Sequence, residues 1–401
     1  MFQKLVSHNE DLNRLVEKGF AVGFDSNLLI IRDIPYLNEK RDLLWGAIVS
    51  KLVPVDGNKV IQEDHQILFA GAHPHGLDGK PIPNLGGGEH KLALSEYNKD
   101  VVVQRSFSNK PCVNGKPVGK FADHFEKITS YLGIISGPAI ELHNANPYTS
   151  RTSKGAEDKS VFKFTDSLTS RAEISDLSKK FENDVVAVIG LGGTGSYGLD
   201  FLVKTPVREI RAFDADWFYI HNSFRSPGML RQEELGKQKA EIYAARYDNF
   251  RHGLSIKPKF IDASCGEELD GVTFAFVFVD KGTSRAEIFD LLISKKIPFI
   301  DAGMGLNRKL GPINGMMRAT YYSAENGAKI RDQKLAELFD APENMYRTNI
   351  QIGELNALNA ALAVIKFKQL RGFYLDENSP YHLLLEISDL KIVGKFENEE
   401  N

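Results

Sequence analysis

The chain has 401 residues, of which 42% are hydrophobic and 26% charged, with a formal net charge of -3. This length favours more than one domain, and the even mixture of Lys and Glu excludes the basic tracts of nucleic-acid-binding proteins and leaves no basic partner surface. Two cysteines are too few for a disulfide framework or paired zinc knuckles, and no apolar run resembles a signal peptide or a membrane span, so we expect a cytoplasmic protein without zinc and without a membrane role.

The first part of the chain predicts a small α+β domain, which we place at residues 1–145. Ser7 and Glu10 fit a capping box, which predicts a helix that ends at Gly19. A helical apolar period returns over Phe121–Ile135, and residues 146–169, rich in Ser, Thr, Lys and Asp, predict a linker. Short apolar runs between turn residues predict an antiparallel meander, with strands at Ala21–Phe24, Leu28–Ile34, Ile67–Phe69 and Val101–Val103.

The remaining residues, 170–395, alternate between apolar runs and segments of helical length. This alternation predicts an α/β domain with a Rossmann-like, doubly wound and mostly parallel sheet. The predicted strands are Val185–Ile189, Arg208–Phe213, Ser255–Ile261, Phe274–Val279 and Pro298–Ile300, and the predicted helices include Leu235–Phe250, Thr283–Ser294 and Ile352–Leu370.

A glycine-rich turn joins the first of these strands to a helix. It contains Gly190, Gly192, Gly193, Thr194 and Gly195. Glycines permit a tight turn and let backbone N–H groups approach phosphate oxygens, while the N-terminus of the helix adds partial positive charge. The turn therefore predicts a nucleotide site.

Two acids follow the next strand, and Asp214 is a better candidate than Asp216 for binding the ribose hydroxyls of a nucleotide. An NAD site and an ATP site both predict such an acid. Transfer of an adenylyl group additionally needs cations on the leaving pyrophosphate. Candidate groups for that role follow in the order Asn222, Arg225, Lys239 and Asp280.

This arrangement resembles the adenylation domain of the ubiquitin-activating enzyme superfamily, which includes the ThiF–MoeB-like adenylyltransferases. The matching residues are the glycine turn, Asp214, Asn-x-x-Arg at Asn222 and Arg225, Lys239 on the following helix, and Asp280 after a later strand. The resemblance covers roughly residues 170–375. It is specific because these groups occur in the family's order and at nearly its spacing.

The resemblance implies an ATP- and Mg²⁺-dependent adenylyltransferase that activates the C-terminal carboxylate of a small ubiquitin-like or sulfur-carrier protein. Asp214 would hold the ribose, Asn222 and Arg225 the phosphates, Lys239 the charge on the α- and β-phosphates, and Asp280 the Mg²⁺ ion. It also implies a homodimer, in which a second arginine comes from the partner subunit, and Arg171 is the nearest candidate for it.

The chain departs from many family members because no cysteine follows Cys265 to receive the activated acyl group. We therefore expect the acyl-adenylate to pass to a separate protein, a hydroxyl or an external thiol, with a conjugating-enzyme-like protein as one candidate. The first domain would recruit the substrate or a partner. Two alternatives stay open, a nucleotide-binding scaffold in a modification system and an NAD-dependent oxidoreductase.

Overall fold

The computed structural model describes residues 2–396 except 57, 84, 114–115, 118, 152–159, 165, 167, 170–171, 173, 309–310, 341–349 and 379. The chain divides into two compact units, residues 1–175 and 176–401, and the short helix Ser175–Ser178 stands at the division. In the described parts of the chain, no helix is long and apolar enough to cross a membrane.

The first unit is an antiparallel sheet with helices. The helices are Phe2–His8, Glu10–Glu17 and His124–His143, and the strands are β1 (Ala21–Asp25), β2 (Leu28–Leu37), β3 (Leu43–Pro54), β4 (Val60–Gln62), β5 (Ile67–Ala70), β6 (Gly88–Leu92), β7 (Val103–Phe107), β8 (Cys112–Val113) and β9 (Lys116–Pro117). The main strand order is β1-β2-β3-β5-β7-β6, with β4 beside β3 and a separate β8–β9 hairpin. All of these pairings are antiparallel, which confirms the predicted α+β domain with its meander.

Helix His124–His143 covers one face of this sheet. Its buried side chains Ile128, Tyr131 and Ile135 share a core with Ile31 of β2 and Ile48 of β3. Asp123 caps the helix by accepting a hydrogen bond from the backbone N–H of Glu126 at 2.7 Å. The helix extends beyond the predicted Phe121–Ile135 because apolar spacing locates the buried face better than it locates the helix end.

The predicted capping box at Ser7 is wrong. Ser7 lies inside the first helix, and the second helix begins at Glu10. Between them, the Asn9 amide donates to the carbonyl oxygens of Leu5 at 2.7 Å and Asn58 at 2.8 Å. A long-range hydrogen bond to Asn58, shortly before β4, is therefore present where a local cap was predicted.

Part of the predicted linker is hydrogen-bonded within the first unit. Arg151 donates from Nη2 to Asp33 Oδ1 at 2.8 Å and from Nε to Asp33 Oδ2 at 3.0 Å. Thr149 Oγ1 donates to the same carboxylate at 2.6 Å. Residues 152–159 of the predicted linker lie outside the described residues.

The second unit is built on one sheet of eight strands. Its strands are β10 (Val185–Ile189), β11 (Glu209–Phe213), β12 (Leu254–Lys257), β13 (Phe274–Val277), β14 (Phe299–Asn307), β15 (Asn314–Tyr322), β16 (His382–Glu386) and β17 (Lys391–Lys395), and its helices are Gly193–Val203, Ile220–Ser223, Lys239–Tyr247, Gly282–Ser294, Gly327–Asp332 and Gly353–Leu370. The order is β12-β11-β10-β13-β14-β15-β16-β17. Pairings are parallel from β12 to β14 and antiparallel from β14 to β17. The α/β Rossmann-like fold is thus confirmed, with an antiparallel extension that the sequence did not predict.

Alternate residues of the central strand β10 enter two cores on opposite sides of the sheet. Val186 and Val188 pack in a cluster that includes Leu199 of helix Gly193–Val203 and Phe367 of helix Gly353–Leu370. Ala187 belongs to a second cluster on the other side. Burial on both faces explains why β10 is an unbroken apolar run.

Candidate functional site

A cavity of about 1260 Å³ opens in the second unit where the parallel strands end. Gly190 follows β10, Asp214 follows β11 and Asp280 lies just beyond β13, and all three line it. In open α/β sheets, ligands bind in the crevice outside the carboxyl ends of the strands. The fold therefore brings residues 90 positions apart in the sequence into one site, and that site is at the expected edge.

The glycines of the turn meet different requirements. Gly190 has φ +93°, and a Cβ there would lie 2.8 Å from the carbonyl oxygen of Phe278. A Cβ on Gly195 would lie 1.9 Å from the Gly190 carbonyl oxygen, which is an impossible contact, and Gly195 does not line the cavity among the described residues. A Cβ on Gly192 would have no atom within 4 Å. Gly192 is therefore the position where the turn stays open to the cavity.

Asp214, Asp216 and Lys239 form a charged cluster on the cavity wall. Asp214 is buried and accepts hydrogen bonds from the backbone N–H groups of Leu191 at 2.6 Å and Asp216 at 2.8 Å. Lys239 Nζ lies 2.8 Å from Asp216 Oδ2 and 3.6 Å from Asp214 Oδ2. Burial raises the pKa of Asp214, while Lys239 and the two N–H groups act in the opposite direction. Asp216 is the more accessible acid, with 57% of its side chain exposed.

Arg225 is a half-buried cation on the same cavity wall. Its Nε is buried and has no hydrogen-bond partner within the described part of the chain. Burial lowers the pKa of Arg225, and the negative charge of Asp280 opposes that shift. A guanidinium that lines a cavity with one buried N–H unpaired is suited to binding an anion.

Asn222 is placed differently from the other predicted phosphate ligands. It is buried and its Oδ1 accepts a hydrogen bond from the backbone N–H of Tyr219 at 2.8 Å, which caps helix Ile220–Ser223. Its carbonyl oxygen accepts from the Arg225 backbone N–H at 3.1 Å. Among the described residues, Asn222 does not line the cavity, so its contacts hold the turn that carries Arg225.

Asp280 is exposed in the cavity. Across the described ranges, no group of three or more His, Cys, Asp or Glu side chains is arranged to hold a metal ion. A Mg²⁺ ion can bind through one or two protein carboxylates when substrate phosphates supply other ligands. Asp280 alone is thus compatible with a metal that arrives with a nucleotide.

The sequence did not predict the part of the cavity that lies beyond β12. The predicted strand Ser255–Ile261 ends instead at Lys257, so Lys259 and Phe260 lie on the cavity wall. Phe260 is 64% exposed. Their position after a parallel strand, at the same edge as Asp214, is the signal that would have identified them.

Arg285, Arg318 and His382 line the cavity on the antiparallel side of the sheet, and the fully buried Asp301 and Thr320 contact them. Buried Asp301 pairs with Arg285, whose Nε is 3.2 Å from Oδ1, and with Nη1 of Arg318. The Thr320 hydroxyl lies 2.8 Å from His382 Nδ1. Burial and the nearby charge of Arg318 lower the pKa of His382 to about 4. Asp301 was missed because β14 was predicted to end at Ile300, and the residues of β15 and β16 were missed because those strands were not predicted. Arg285 lies on the predicted helix Thr283–Ser294 but was not chosen as a site residue.

The two cysteines lie in unlike places. Cys265 is buried, and its Sγ lies 3.5 Å from the Phe260 carbonyl oxygen, whereas Cys112 is exposed in the first unit. Neither of them lines the cavity described above. Arg171, the candidate second arginine, lies outside the described residues.

The model of the ThiF family matches residues 167–391, which is more than half of the chain. The chain belongs to the ThiF family. Residues 10–167 match a second model, described as a domain of unknown function (DUF6791), so the ThiF domain follows an additional N-terminal domain. The ThiF match spans the glycine turn, the acid pair, Arg225, Lys239 and Asp280.

The relatives compared with this ThiF-family chain share 16–25% of its residues over the matched parts. The chain is 25% identical over 127 residues to the tRNA threonylcarbamoyladenosine dehydratase of Escherichia coli (strain K12). The match covers 31% of this chain and 47% of the relative, so the chain spans less than half of that protein. Among solved structures it is similar to E. coli MccB with ATP, at 16% identity and a TM-score of 0.40 over 55% of this chain and 65% of that one. It is also similar to PaaA, at 16% identity and a TM-score of 0.41 over 68% and 92%.

Proposed function

We propose that this ThiF-family chain is an ATP- and Mg²⁺-dependent adenylyltransferase that activates a carboxylate. The observation that carries the proposal is Arg225, whose buried Nε has no hydrogen-bond partner among the described residues, in a cavity that also holds the glycine turn and Lys239. A buried N–H donor without an acceptor costs stability, and an oxygen of a triphosphate would supply that acceptor. A site for a neutral or weakly charged ligand would not need it.

The cavity wall offers a group for each part of ATP. The turn at Gly192, where helix Gly193–Val203 begins, would offer backbone N–H groups to the phosphates. Asp216, which is more exposed than Asp214, would accept hydrogen bonds from ribose hydroxyls, and the exposed ring of Phe260 would stack on the adenine. Asp280 together with the phosphates would hold the Mg²⁺ ion, which neutralises charge on the triphosphate.

In the proposed reaction, an oxygen of the substrate carboxylate attacks the α-phosphorus of ATP. A bond forms between that oxygen and the α-phosphorus, the bond from the α-phosphorus to the bridging oxygen of the β-phosphate breaks, and pyrophosphate leaves with the bonding electron pair. Charge builds on the α-phosphate oxygens and on pyrophosphate. Lys239 and Arg225 stabilise that charge more strongly in the transition state than in the ground state.

The proposed substrate is the C-terminal carboxylate of a small ubiquitin-like or sulfur-carrier protein. Since neither cysteine lines the cavity, the acyl-adenylate would pass to a separate acceptor, such as a conjugating-enzyme-like protein, rather than to a cysteine of the adenylation site. We further propose that the first unit recruits the substrate or this acceptor. A homodimer and a cytoplasmic location belong to the same proposal.

Exchange of labelled pyrophosphate into ATP tests the proposal. The chain is incubated with small proteins that are encoded beside its gene and carry a free C-terminal carboxylate. We expect exchange with the true substrate, loss of exchange in the double variant Arg225→Ala with Asp280→Ala, and normal exchange in Arg231→Ala, which removes an exposed arginine from the same loop. Exchange that persists in the double variant would exclude the site assignment.

The two alternatives give different results. A nucleotide-binding scaffold would bind ATP without pyrophosphate exchange for any carrier. An NAD-dependent oxidoreductase would show saturable NAD binding in calorimetry and none for ATP. The Arg225, Lys239 and Asp280 constellation favours the adenylyltransferase over both, because neither alternative requires charge stabilisation at a leaving pyrophosphate.

A further inference from the structure

Asn356 is a buried amide at the start of helix Gly353–Leu370, and it lines the cavity beside the glycine turn. Only 1% of this residue is exposed. Its Oδ1 accepts a hydrogen bond from Thr194 Oγ1 at 2.9 Å. Its Nδ2 is buried and has no hydrogen-bond partner within the described parts of the chain. Native proteins keep few such donors unpaired, so this one needs an explanation.

The Asn356 side chain requires a glycine at position 193. A Cβ at Gly193 would lie 2.4 Å from Asn356 Nδ2, so any larger residue would displace the amide. At Gly192, by contrast, the same Cβ would meet nothing within 4 Å. The second glycine of the pair therefore makes room for Asn356, and only the first leaves space for a ligand.

The surroundings of Asn356 favour an anionic partner. Two helices begin at this wall of the cavity, Gly193–Val203 and Gly353–Leu370, and each contributes the partial positive charge of its N-terminus. The first residue of the second helix, Gly353, is adjacent to Arg225, since a Cβ there would lie 3.9 Å from the Arg225 Cα. Asn356, Arg225 and Gly193 line the same cavity, so a donor on Asn356 can reach the same anion as these groups.

We propose that Asn356 is a nucleotide-binding residue whose amide Nδ2 donates a hydrogen bond to the phosphate chain of ATP, with Thr194 holding the amide in place. This inference rests on the proposed ATP site and adds to it a ligand from the last helix of the domain. It assigns Asn356 to phosphate binding and not to adenine or ribose binding. The assignment can therefore be tested by comparing nucleotides that differ only in phosphates.

The test measures binding of ATP and of adenosine to the full chain by titration calorimetry. Asn356→Asp keeps the shape and the acceptor for Thr194 but replaces the donating nitrogen with a charged oxygen. We expect ATP affinity to fall about tenfold or more while adenosine affinity changes by less than about twofold. Asn356→Ala should lower the ATP-to-adenosine affinity ratio in the same direction.

Asn359→Ala is the matched control. Asn359 is a fully buried amide on the same helix, and it donates to the Gly303 carbonyl oxygen at 3.1 Å without lining the cavity. Its loss should lower thermal stability and leave the affinity ratio unchanged. An unchanged ratio in both Asn356 variants would overturn the inference while leaving the proposed function intact. Failure of the wild-type chain to bind ATP would overturn both.

Discussion

Lys239 is a buried ammonium group between two carboxylates of unequal exposure. Asp214 is buried, so its negative charge depends on Lys239 and on two backbone N–H groups, whereas Asp216 is largely in solvent. A bound nucleotide would compete with these carboxylates for the lysine charge. The residue is therefore important both for stability and for the proposed chemistry.

We predict that Lys239→Ala lowers pyrophosphate exchange at least about 100-fold. It should also lower the free energy of unfolding by about 2–4 kcal/mol near neutral pH, because Asp214 then keeps a buried charge without its cation. Removing Lys239 raises the folded-state pKa of Asp214 further above its unfolded value, so the loss of stability should shrink as pH falls from about 7 to about 4. Chemical denaturation of the wild-type chain and of Lys239→Ala at several pH values measures this loss of stability.

Lys237→Ala is the control for this prediction, because Lys237 is exposed and lies two residues earlier. It should change neither exchange nor stability appreciably. A uniform loss of stability in Lys239→Ala at every pH would contradict the role assigned to Asp214.

His382 is a second residue with a predicted pH dependence. Its folded-state pKa of about 4 lies below the ordinary value, because burial and the positive charges of Arg318 and Lys395 disfavour its protonated form. The unfolded chain therefore binds the proton first, and stability should fall as pH falls from about 6.5 to about 4, by on the order of 1–3 kcal/mol. His382→Gln should flatten this part of the stability curve. An unchanged slope in urea titrations of the variant would contradict the prediction.

At the scale of elements, the glycine turn and its strand could be predicted from sequence because several local signals agree. Val185–Ile189 is apolar throughout and directly precedes the turn, and the strand has the predicted bounds. The antiparallel extension could not be predicted in the same way. Gly303 and Gly305 interrupt the β-propensity of β14, and the strand is stabilised by its nine-residue register with β15, which is a long-range interaction.

The cavity residues also divide into those that could be predicted from local sequence and those that depend on long-range packing. Asp214, Lys239 and Asp280 follow predicted elements and could be identified as candidate ligands. Asn356 could not, because its position depends on helix packing, and Phe260 was missed because the predicted strand Ser255–Ile261 extended past the observed end at Lys257. Asn222 fits the family pattern, but its side chain is used as a helix cap, which only the structure can show.

The glycine turn gives a prediction at this scale. Gly195→Ala should lower the free energy of unfolding by about 2–4 kcal/mol, because the new methyl group would collide with the Gly190 carbonyl oxygen. Gly192→Ala should change the free energy of unfolding by less than about 1 kcal/mol, because no described atom lies within 4 Å of the added Cβ. The same substitution should weaken ATP binding, because the methyl group would occupy space through which the phosphates approach the turn. Thermal unfolding and calorimetry on the two variants measure the contrast, and equal destabilisation would contradict it.

At the scale of the whole molecule, the chain combines a ThiF domain with an additional N-terminal domain. Each unit has its own hydrophobic core. All residues that line the described cavity lie in the second unit, between Ile189 and Leu384. The proposed nucleotide site is thus contained in the second unit.

We predict that a fragment of residues 167–401 folds and binds ATP with an affinity within about threefold of the full chain, since domains with their own cores usually fold alone. Exchange with the carrier protein should be lost or require much higher carrier concentrations, because the proposed recruiting unit is missing. Circular dichroism checks the fold and calorimetry the affinity. Full carrier-dependent exchange by the fragment would remove the recruiting role from the first unit.

The most direct test of the central claim is the fate of ATP labelled at the α-phosphorus, in the presence of a carrier with a free C-terminal carboxylate. The proposed mechanism predicts that the label appears in an acyl-adenylate or in AMP, together with stoichiometric pyrophosphate, and that a carrier with an amidated C-terminus abolishes both. Label that appears in ADP, with release of inorganic phosphate, would place the bond cleavage at the wrong phosphorus and contradict the account.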